Sequence, residues 1–407
     1  MGSNVLLATT CRWFSTARLA TALQRAGCRV DVVCPRNHCV ETLHLLEKTY
    51  RFHALHPAQS LRAALLASHA DLVIPCDDQA MRYLHRVYEE AGHGGPDSAR
   101  LLQVLRFSMG DPAGYSITQS RDAFMATIYQ EGIAAPETKL IASVAEMNRW
   151  IEQFGLPAVL KADGTSGGEG VLIVRTRAEA LRAFRLLQAP VSTAVAGKRA
   201  LIDGDWTCVL PWLEQRRRVV SIQTFIGGPD ANMAVAAYKG RILSSLSVEV
   251  LKTARAKGPA TIVRVIDNPQ MRHAAETIVA RLGFTGLCGF DFMLDPRSGN
   301  AYLIEMNARA TQTCILTLGP DRDAVAAIAS LLTGRLEPSP PLPLRGDTIA
   351  LFPGAWQGDT TDELFQQAYQ DVPWENPALV QYGIQQIQRQ PKDKWVELAL
   401  KMRQRWA

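Results

Sequence analysis

The stretch Gly289–Thr311, GFDFMLDPRSGNAYLIEMNARAT, constrains the fold more tightly than any other part of the chain. Its arms, Gly289–Asp295 and Ala301–Asn307, carry Phe, Leu, Tyr and Ile. Between them, Pro296–Asn300 supplies the Pro, Ser, Gly and Asn that turns use. The pattern predicts a β-hairpin. Successive side chains on a strand point to opposite faces, so Phe290, Phe292, Leu294, Tyr302, Ile304 and Met306 form a core face. Asp291, Glu305 and Asn307 fall on the other face. A turn symmetric about Ser298 sets Asp291 directly across from Glu305, with Cβ atoms about 5 Å apart. Like charges so placed are unfavourable and call for a shared proton or a divalent cation. Asn307 adds a carbonyl oxygen. Two carboxylates and an amide oxygen suit Mg2+, which keeps its other positions for water and phosphate oxygens. The competing reading is a solvated strand face, and a one-residue slip in register would undo the pairing.

Upstream, Asn4–Thr9 reads as a buried strand, Ser15–Ala26 as an amphipathic helix and Arg29–Cys34 as a second strand. This is the spacing of a parallel β-α-β unit. The turn after the first strand, Thr9-Thr10-Cys11-Arg12, has no GxGxxG, so neither NAD nor FAD is expected there. Val40–Tyr50 and Ser60–Ser68 read as helices and Asp71–Pro75 as a strand. Asp77-Asp78 opens a helix running to about Glu90. Acids at a helix N-terminus favour the dipole, and acids after a strand's C-terminal end also stand where open α/β sheets bind ligands. A boundary is expected near Gly110-Asp111-Pro112.

Beyond it, helices are predicted over Ser120–Glu131, with Ser120 as N-cap, and over Ser143–Phe154. A short buried strand, Pro157–Lys161, leads into the loop ADGTSGGEG (Ala162–Gly170), then strand Val171–Arg175 and helix Arg177–Leu187. That loop joins two strands and lacks GK[ST], so it is not a Walker loop. Gly164, Gly167, Gly168 and Gly170 let backbone N–H groups approach an anion. Lys161, ending an apolar strand, must reach a ligand or snorkel. Strands over Trp206–Leu213, Arg218–Phe225, Asn232–Tyr238 and Arg241–Val250 follow, with a tight turn at Tyr238–Arg241. A helix, Pro269–Leu282, precedes the acid hairpin. PSPPLP (Pro338–Pro343) reads as a linker, Ile349–Phe352 as a strand, and Thr361–Tyr369 and Lys392–Arg405 as helices.

Composition excludes some classes. A chain of 407 residues, 47% hydrophobic and 20% charged, is expected to be soluble and globular with two or three domains. No apolar run approaches about 18 residues, so no membrane span is expected. The first residues lack the pattern of a signal peptide, and Leu6 stands where a myristoylation motif needs Ser or Thr. A net charge of +5 is mild, and no nucleic-acid partner is expected. Arg216–Arg218 reads as a solvated hairpin end. The eight cysteines are scattered without CxxC, pointing to a reducing cytoplasm rather than a zinc site.

The strand and loop VLKADGTSGGEG, the segment IQTFIGGPDANMAVAAYKGRIL and then GFTGLCGFDFMLD…AYLIEMNAR resemble, in this order, the ATP-grasp superfamily over roughly residues 4–335. The resemblance implies α/β and α+β architecture: a Rossmann-like N-terminal domain (1–112) followed by a two-lobed ATP-grasp fold. The small lobe would span 113–190 and carry the glycine-rich loop. The C-terminal lobe, 191–335, would carry the metal site, and an extension, 336–407, would pack on the core. By the same resemblance, Lys161 would contact a phosphate or the adenine edge. Thr165, Ser166, Gly167, Gly168 and Gly170 would close over the phosphates. Gln223, Thr224, Phe225 and Ile226 would form the adenine hinge, and Asp230 would meet the ribose. Asp291, Glu305 and Asn307 would hold Mg2+, usually two ions, with Mn2+ as a substitute. Arg309 would meet an acyl phosphate or tetrahedral intermediate. One departure is Arg121, which stands where the family usually has a lysine that contacts the nucleotide. Lys252, Arg255, Lys257 and Arg264 fall where other members place basic residues near the phosphates.

The resemblance implies a cytoplasmic ATP-dependent carboxylate–amine ligase. A small-molecule carboxylate would attack the γ-phosphoryl group, and an amine would displace phosphate from the acyl phosphate. Alternatives are carboxylation through carboxyphosphate, as in biotin carboxylase, and a nucleotide-binding module without catalysis. Substrate selection would fall to the N-terminal domain, to Thr311 and Gln312, and to Asp371–Gly383, which could equally pack the tail onto the core. Many relatives are dimers, so a homodimer is the candidate assembly.

Overall fold

The structure, a computed structural model, describes residues 3–44, 46–162, 170–190, 197, 218–255, 258–335 and 340–389. The N-terminal part is a parallel sheet of β1 (Asn4–Ala8), β2 (Arg29–Cys34), β3 (Lys48–Arg51) and β4 (Leu72–Pro75), in the order β3-β2-β1-β4. Helices α1 (Phe14–Arg25), α2 (Pro57–Ser68), α3 (Asp78–Gly92) and α4 (Ser98–Met109) cover it. The run NVLLA is buried on both faces, as a central parallel strand must be. Val5 and Leu7 pack with Leu19 and Leu23 of α1, whereas Leu6 and Ala8 pack with Leu61, Leu65 and Leu84 of α2 and α3. The strand order reverses at β1 and β4. Crevices at such a point, outside the strands' C-terminal ends, are where open α/β sheets bind ligands.

The helix expected over Val40–Tyr50 does not form. Cys39–Thr42 makes a 3-10 turn, and Lys48–Arg51 adds a parallel strand to the edge of β2, pairing Asp31 with Lys48 through Cys34 with Arg51. The open edge of β2 outweighs the local helical pattern, and Thr49 and Tyr50 suit a strand.

The chain leaves this part at Gly110, where a Cβ would overlap the Gly283 carbonyl oxygen and where φ is +83°. Only glycine fits so close an approach. After α5 (Tyr115–Gln119), helix α6 (Arg121–Gln130) starts at its Ser120 cap, as predicted. A four-stranded antiparallel sheet follows, order β5-β8-β6-β7, made of β5 (Thr138–Ile141), β6 (Ala158–Ala162), β7 (Val171–Val174) and β8 (Val220–Thr224). Helices α7 (Val144–Phe154) and α8 (Arg177–Gln188) close its core around Trp150, Leu160, Phe184 and Ile222. Both helices open on side-chain caps: Ser143 accepts from Glu146 N–H and Thr176 from Glu179 N–H, while the Glu146 and Glu179 carboxylates accept from Ala142 and Arg175 N–H, one residue before each cap.

The third sheet runs β13-β12-β9-β10-β11-β14-β15. Its strands are β9 (Asp230–Tyr238), β10 (Arg241–Thr253), β11 (Ala260–Ile266), β12 (Gly286–Leu294), β13 (Ala301–Asn307), β14 (Thr348–Leu351) and β15 (Tyr369–Asp371). Helix α9 (Pro269–Leu282) packs on one face with Met233 and Val235. Helix α10 (Ala324–Thr333) packs on the other with Ala234 and Ala236. The cluster holding α9 also holds Leu6 and Leu61, so the first and third sheets share one core.

The hairpin register is as expected at its far end: Gly289 faces Asn307, Phe290 faces Met306, and Asp291 faces Glu305. A bulge follows, and Phe292 faces Leu303. The extra residue shifts the alternation. Leu303 is therefore buried, and Tyr302 and Ile304, expected in the core, are half-buried.

The helix expected over Thr361–Tyr369 divides into α11 (Glu363–Gln367) and β15, and the chain continues into α12 (Pro377–Arg389). This tail packs against the body: Asp371 pairs with Arg18, and Leu379 is fully buried. The predicted strand Trp206–Leu213 and helix Lys392–Arg405 lie outside the described residues.

Candidate functional site

Asp291 and Glu305 face each other on β12 and β13, and β9 brings a third polar residue, Asn232, opposite Asp291 on its other side. The Asn232 amide donates to Asp291 Oδ1, and Asn307 Nδ2 donates to Oδ2 at 2.9 Å. Burial pushes the Asp291 carboxyl up to about 6, and the Glu305 charge adds to the rise, while the two amide donors oppose it. Arg121, at the capped start of α6, reaches Glu305 with Nη2 at 3.5 Å from Oε1.

Arg309 joins this group to the first sheet. Its Nη2 donates to Asn307 Oδ1 at 3.1 Å, and its Nε donates to Asp78 Oδ1 at 2.9 Å. The guanidinium carbon lies 4.8 Å from the centre of the Trp13 ring. Asp77 and Asp78 divide the two roles read for them. Asp77 is buried and caps α3 through Ala80 N–H, and it also accepts from Thr10 N–H and from the Thr9 and Thr10 hydroxyls. Asp78 turns to Arg309.

The donor set fits a hard divalent cation. The carboxylates are opposed, every nearby donor is oxygen or amide, and the Glu305 side chain is 44% exposed. Among the described residues no third acid, histidine or cysteine joins them, so remaining positions would fall to amide, water and phosphate oxygens. In this arrangement Asn307 donates to Asp291 and its Oδ1 accepts from Arg309, so the amide oxygen would reach a cation at the acids only by giving up both bonds.

Lys161, Gln223 and Thr224 sit on the four-stranded sheet. Lys161 pairs across from Ser221, and Val159 across from Gln223. Lys161 and Gln223 thus share the face opposite the core residues Leu160 and Ile222, and each is only 6% exposed. Thr224 closes β8, and Phe225 and Ile226 follow it, all half-buried. Gly170 is buried, and its carbonyl accepts from Ala162 N–H at the neck of the loop. Thr165, Ser166, Gly167 and Gly168 lie outside the described residues, as does Lys257. Asp230 opens β9 two residues before Asn232, on the same face.

The structure thus brings Asp291, Glu305, Asn307, Arg309 and Arg121 into one contact network at the third sheet, which also carries Asp230, while Lys161, Gln223 and Thr224 lie on the second. Of the basic stretch, Lys252 pairs with Asp362, and Arg264 with Glu249 and Asp347. Thr311 packs under Gly289, and Gln312 donates to the Ala260 carbonyl. Two residues were not anticipated. Asn232 had a signal, being a polar residue in the apolar strand DANMAVAAY. Trp13 had none.

A parallel sheet joined through a shared core to a large antiparallel sheet, with a small four-stranded sheet bearing Lys161, is the ATP-grasp fold, and solved structures of that fold superpose on this chain. Residues 246–318 match the family described as carbamoyl-phosphate synthase L chain, ATP binding domain. A carbamoyl phosphate synthase large chain of Thermus thermophilus is 27% identical over 329 residues, covering 78% of this chain and 29% of its own length. The chain therefore spans less than a third of that relative. Among solved structures, the biotin carboxylase domain dimer of Hydrogenobacter thermophilus 2-oxoglutarate carboxylase, in complex with MgADP, ADP and bicarbonate, superposes with a TM-score of 0.58. It is 16% identical and covers 84% of this chain and 72% of its own. L-amino acid ligase from Bacillus licheniformis superposes with a TM-score of 0.52 at 15% identity, covering 83% and 78%. Both likenesses are of fold.

Proposed function

We propose that the chain is an ATP-dependent ligase that activates a carboxylate as an acyl phosphate, releasing ADP, for attack by an amine. The observation that carries this reading is the opposed pair Asp291–Glu305 with Arg309 hydrogen-bonded beside it. Asp291, Glu305 and Asn307 would hold Mg2+, as one or two ions, or Mn2+. The cation, when bound, neutralises phosphate charge. Lys161 and the loop through Gly170 bind and cover the phosphates, Gln223–Ile226 hold the adenine, and Asp230 the ribose. Arg121 takes the place of the usual lysine at the phosphates. Arg309 stabilises negative charge on the acyl phosphate and on the tetrahedral intermediate. Closure of the loop excludes water from the acyl phosphate.

The segments 1–112, 113–190, 191–335 and 336–407 are our division of the chain, with one strand crossing it: β8, inside 191–335, pairs with β5 and β6 of the small lobe. No described helix is long and apolar enough to cross a membrane, and we place the enzyme in the cytoplasm, as a homodimer acting on small molecules.

A second reading takes bicarbonate as the carboxylate. It is favoured by the likeness to a carboxylase domain held with bicarbonate. The test is ADP release with Mg2+-ATP against pooled amino acids, small carboxylic acids and bicarbonate, with Glu305→Ala alongside. ADP that requires a carboxylate plus an amine, and is lost in Glu305→Ala, supports the ligase. ADP that requires bicarbonate alone supports the second reading. ATP binding without turnover contradicts both.

A further inference from the structure

Arg309 is carried by the third sheet, but much of what grips its side chain comes from the first. Asp78, at the start of α3, accepts from Nε, and the Trp13 ring lies against the guanidinium. The main chain is tied at the same place: Ala310 N–H donates to the carbonyl of Pro75, the last residue of β4, at 3.0 Å. The grip is itself pinned. Asp77 caps α3 and binds the Thr9-Thr10 loop with both oxygens, which fixes where Asp78 leaves the helix.

A guanidinium carries five N–H donors in one plane. In Arg309, Nε serves Asp78, one Nη2 hydrogen serves Asn307, and one Nη1 hydrogen serves the Ala310 carbonyl at 3.3 Å. Among the described residues, that accounts for three donors and leaves one on each terminal nitrogen for an oxyanion. Asp78 fixes rotation about the plane's edge, and Trp13 fixes its tilt. Neither touches the acid pair.

We propose that Asp78 and Trp13 are positioning residues for Arg309, so that the crevice edge of the first sheet aims the arginine at the reacting oxyanion. The inference rests on the ligase reading of the site. A misplacement of about 1 Å can cost about 100-fold in rate, so Asp78→Ala should lower kcat about 10- to 100-fold while KM for Mg2+-ATP changes less than about twofold. Trp13→Ala should do the same more weakly, and Trp13→Phe, which restores an aromatic face, should recover most of the loss. The decisive comparison is a double-mutant cycle. Adding Asp78→Ala to Arg309→Ala should cost nothing further, because Asp78 acts through Arg309. Losses that multiply would overturn the proposal, as would a rise in KM for Mg2+-ATP that accounts for the whole effect.

A second readout needs no turnover. In protein labelled with 15N-arginine, the Nε–H resonance of Arg309, identified by its loss in Arg309→Lys, should exchange slowly and should merge with the solvent-exposed arginines in Asp78→Ala. An unchanged resonance in Asp78→Ala would overturn the proposal even if every substrate pool were silent. Silence in the wild type together with a resonance that depends on Asp78 would sink the ligase reading and leave the grip on Arg309 supported. Asp78→Asn, which keeps a carbonyl acceptor of the same shape, should retain most of both signals.

Discussion

Asp291 and Glu305 stand directly opposite one another on antiparallel strands, and the carboxyl of Asp291 titrates at about 6 instead of 3.8. Burial is the main cause and the Glu305 charge the second. Because the folded value lies above the unfolded one, the stability this carboxyl contributes is complete below about pH 4 and is lost as pH rises through about 6. Thermal unfolding in EDTA should therefore depend on pH less steeply in Asp291→Asn across that window. Cation binding runs the other way. It needs the ionised pair, so calorimetric titration with Mg2+ should show affinity falling as pH drops through about 6. Affinity that stays flat there would contradict the assignment.

Asn232 holds Asp291 from the neighbouring strand. Partners that orient a metal-binding group typically change affinity about 10- to 100-fold when removed. Asn232→Ala should weaken Mg2+ or Mn2+ binding by about that factor, with the Asp291 carboxyl rising further. Unchanged affinity in a folded Asn232→Ala protein would show that the contact is incidental.

The parts of the site legible in the sequence were those fixed by local rules. Alternation put Asp291 and Glu305 on one face, and their pairing matches the expectation because two departures cancel: the turn closes with Leu294 facing Ala301, one residue short of symmetry about Ser298, and the bulge between Asp291 and Phe292 restores the register. The same rules failed one residue later, where the bulge exchanged Leu303 for Ile304 in the core. Arg121 against Glu305 and Arg309 against Asp78 and Trp13 were not legible. Each joins positions more than 180 residues apart, through a shared core that no local pattern encodes. Strand β3 was misread because its partner, the edge of β2, lies outside any helical window.

Gly289 lies tight beneath Thr311. A Cβ there would come within 2.5 Å of Thr311 Cγ2 and 3.1 Å of Oγ1. Gly289→Ala should destabilise by about 1–3 kcal/mol in denaturant unfolding, as overpacking does. Adding Thr311→Ser, which removes Cγ2, should restore part of the loss. If the second substitution restores nothing, the contact is not the cause.

Arg18 and Asp371 tie α1 to the C-terminal segment by a two-pronged ion pair, 2.8 and 3.0 Å, with side chains 14% and 5% exposed. Removing one partner of a buried pair leaves an uncompensated charge. Arg18→Ala should therefore cost about 3–5 kcal/mol, and Arg18→Ala/Asp371→Ala less than the single change. Equilibrium unfolding checks both. A loss under about 1 kcal/mol would mean that water reaches the pair.

The most direct test of the ligase reading is oxygen transfer. The protein is run with Mg2+-ATP, an amine and a carboxylate labelled with 18O, and the released phosphate is analysed by mass spectrometry. Passage through an acyl phosphate leaves one carboxylate oxygen in the inorganic phosphate, with ADP as the other product. Unlabelled phosphate, or AMP and pyrophosphate in place of ADP and phosphate, would contradict it.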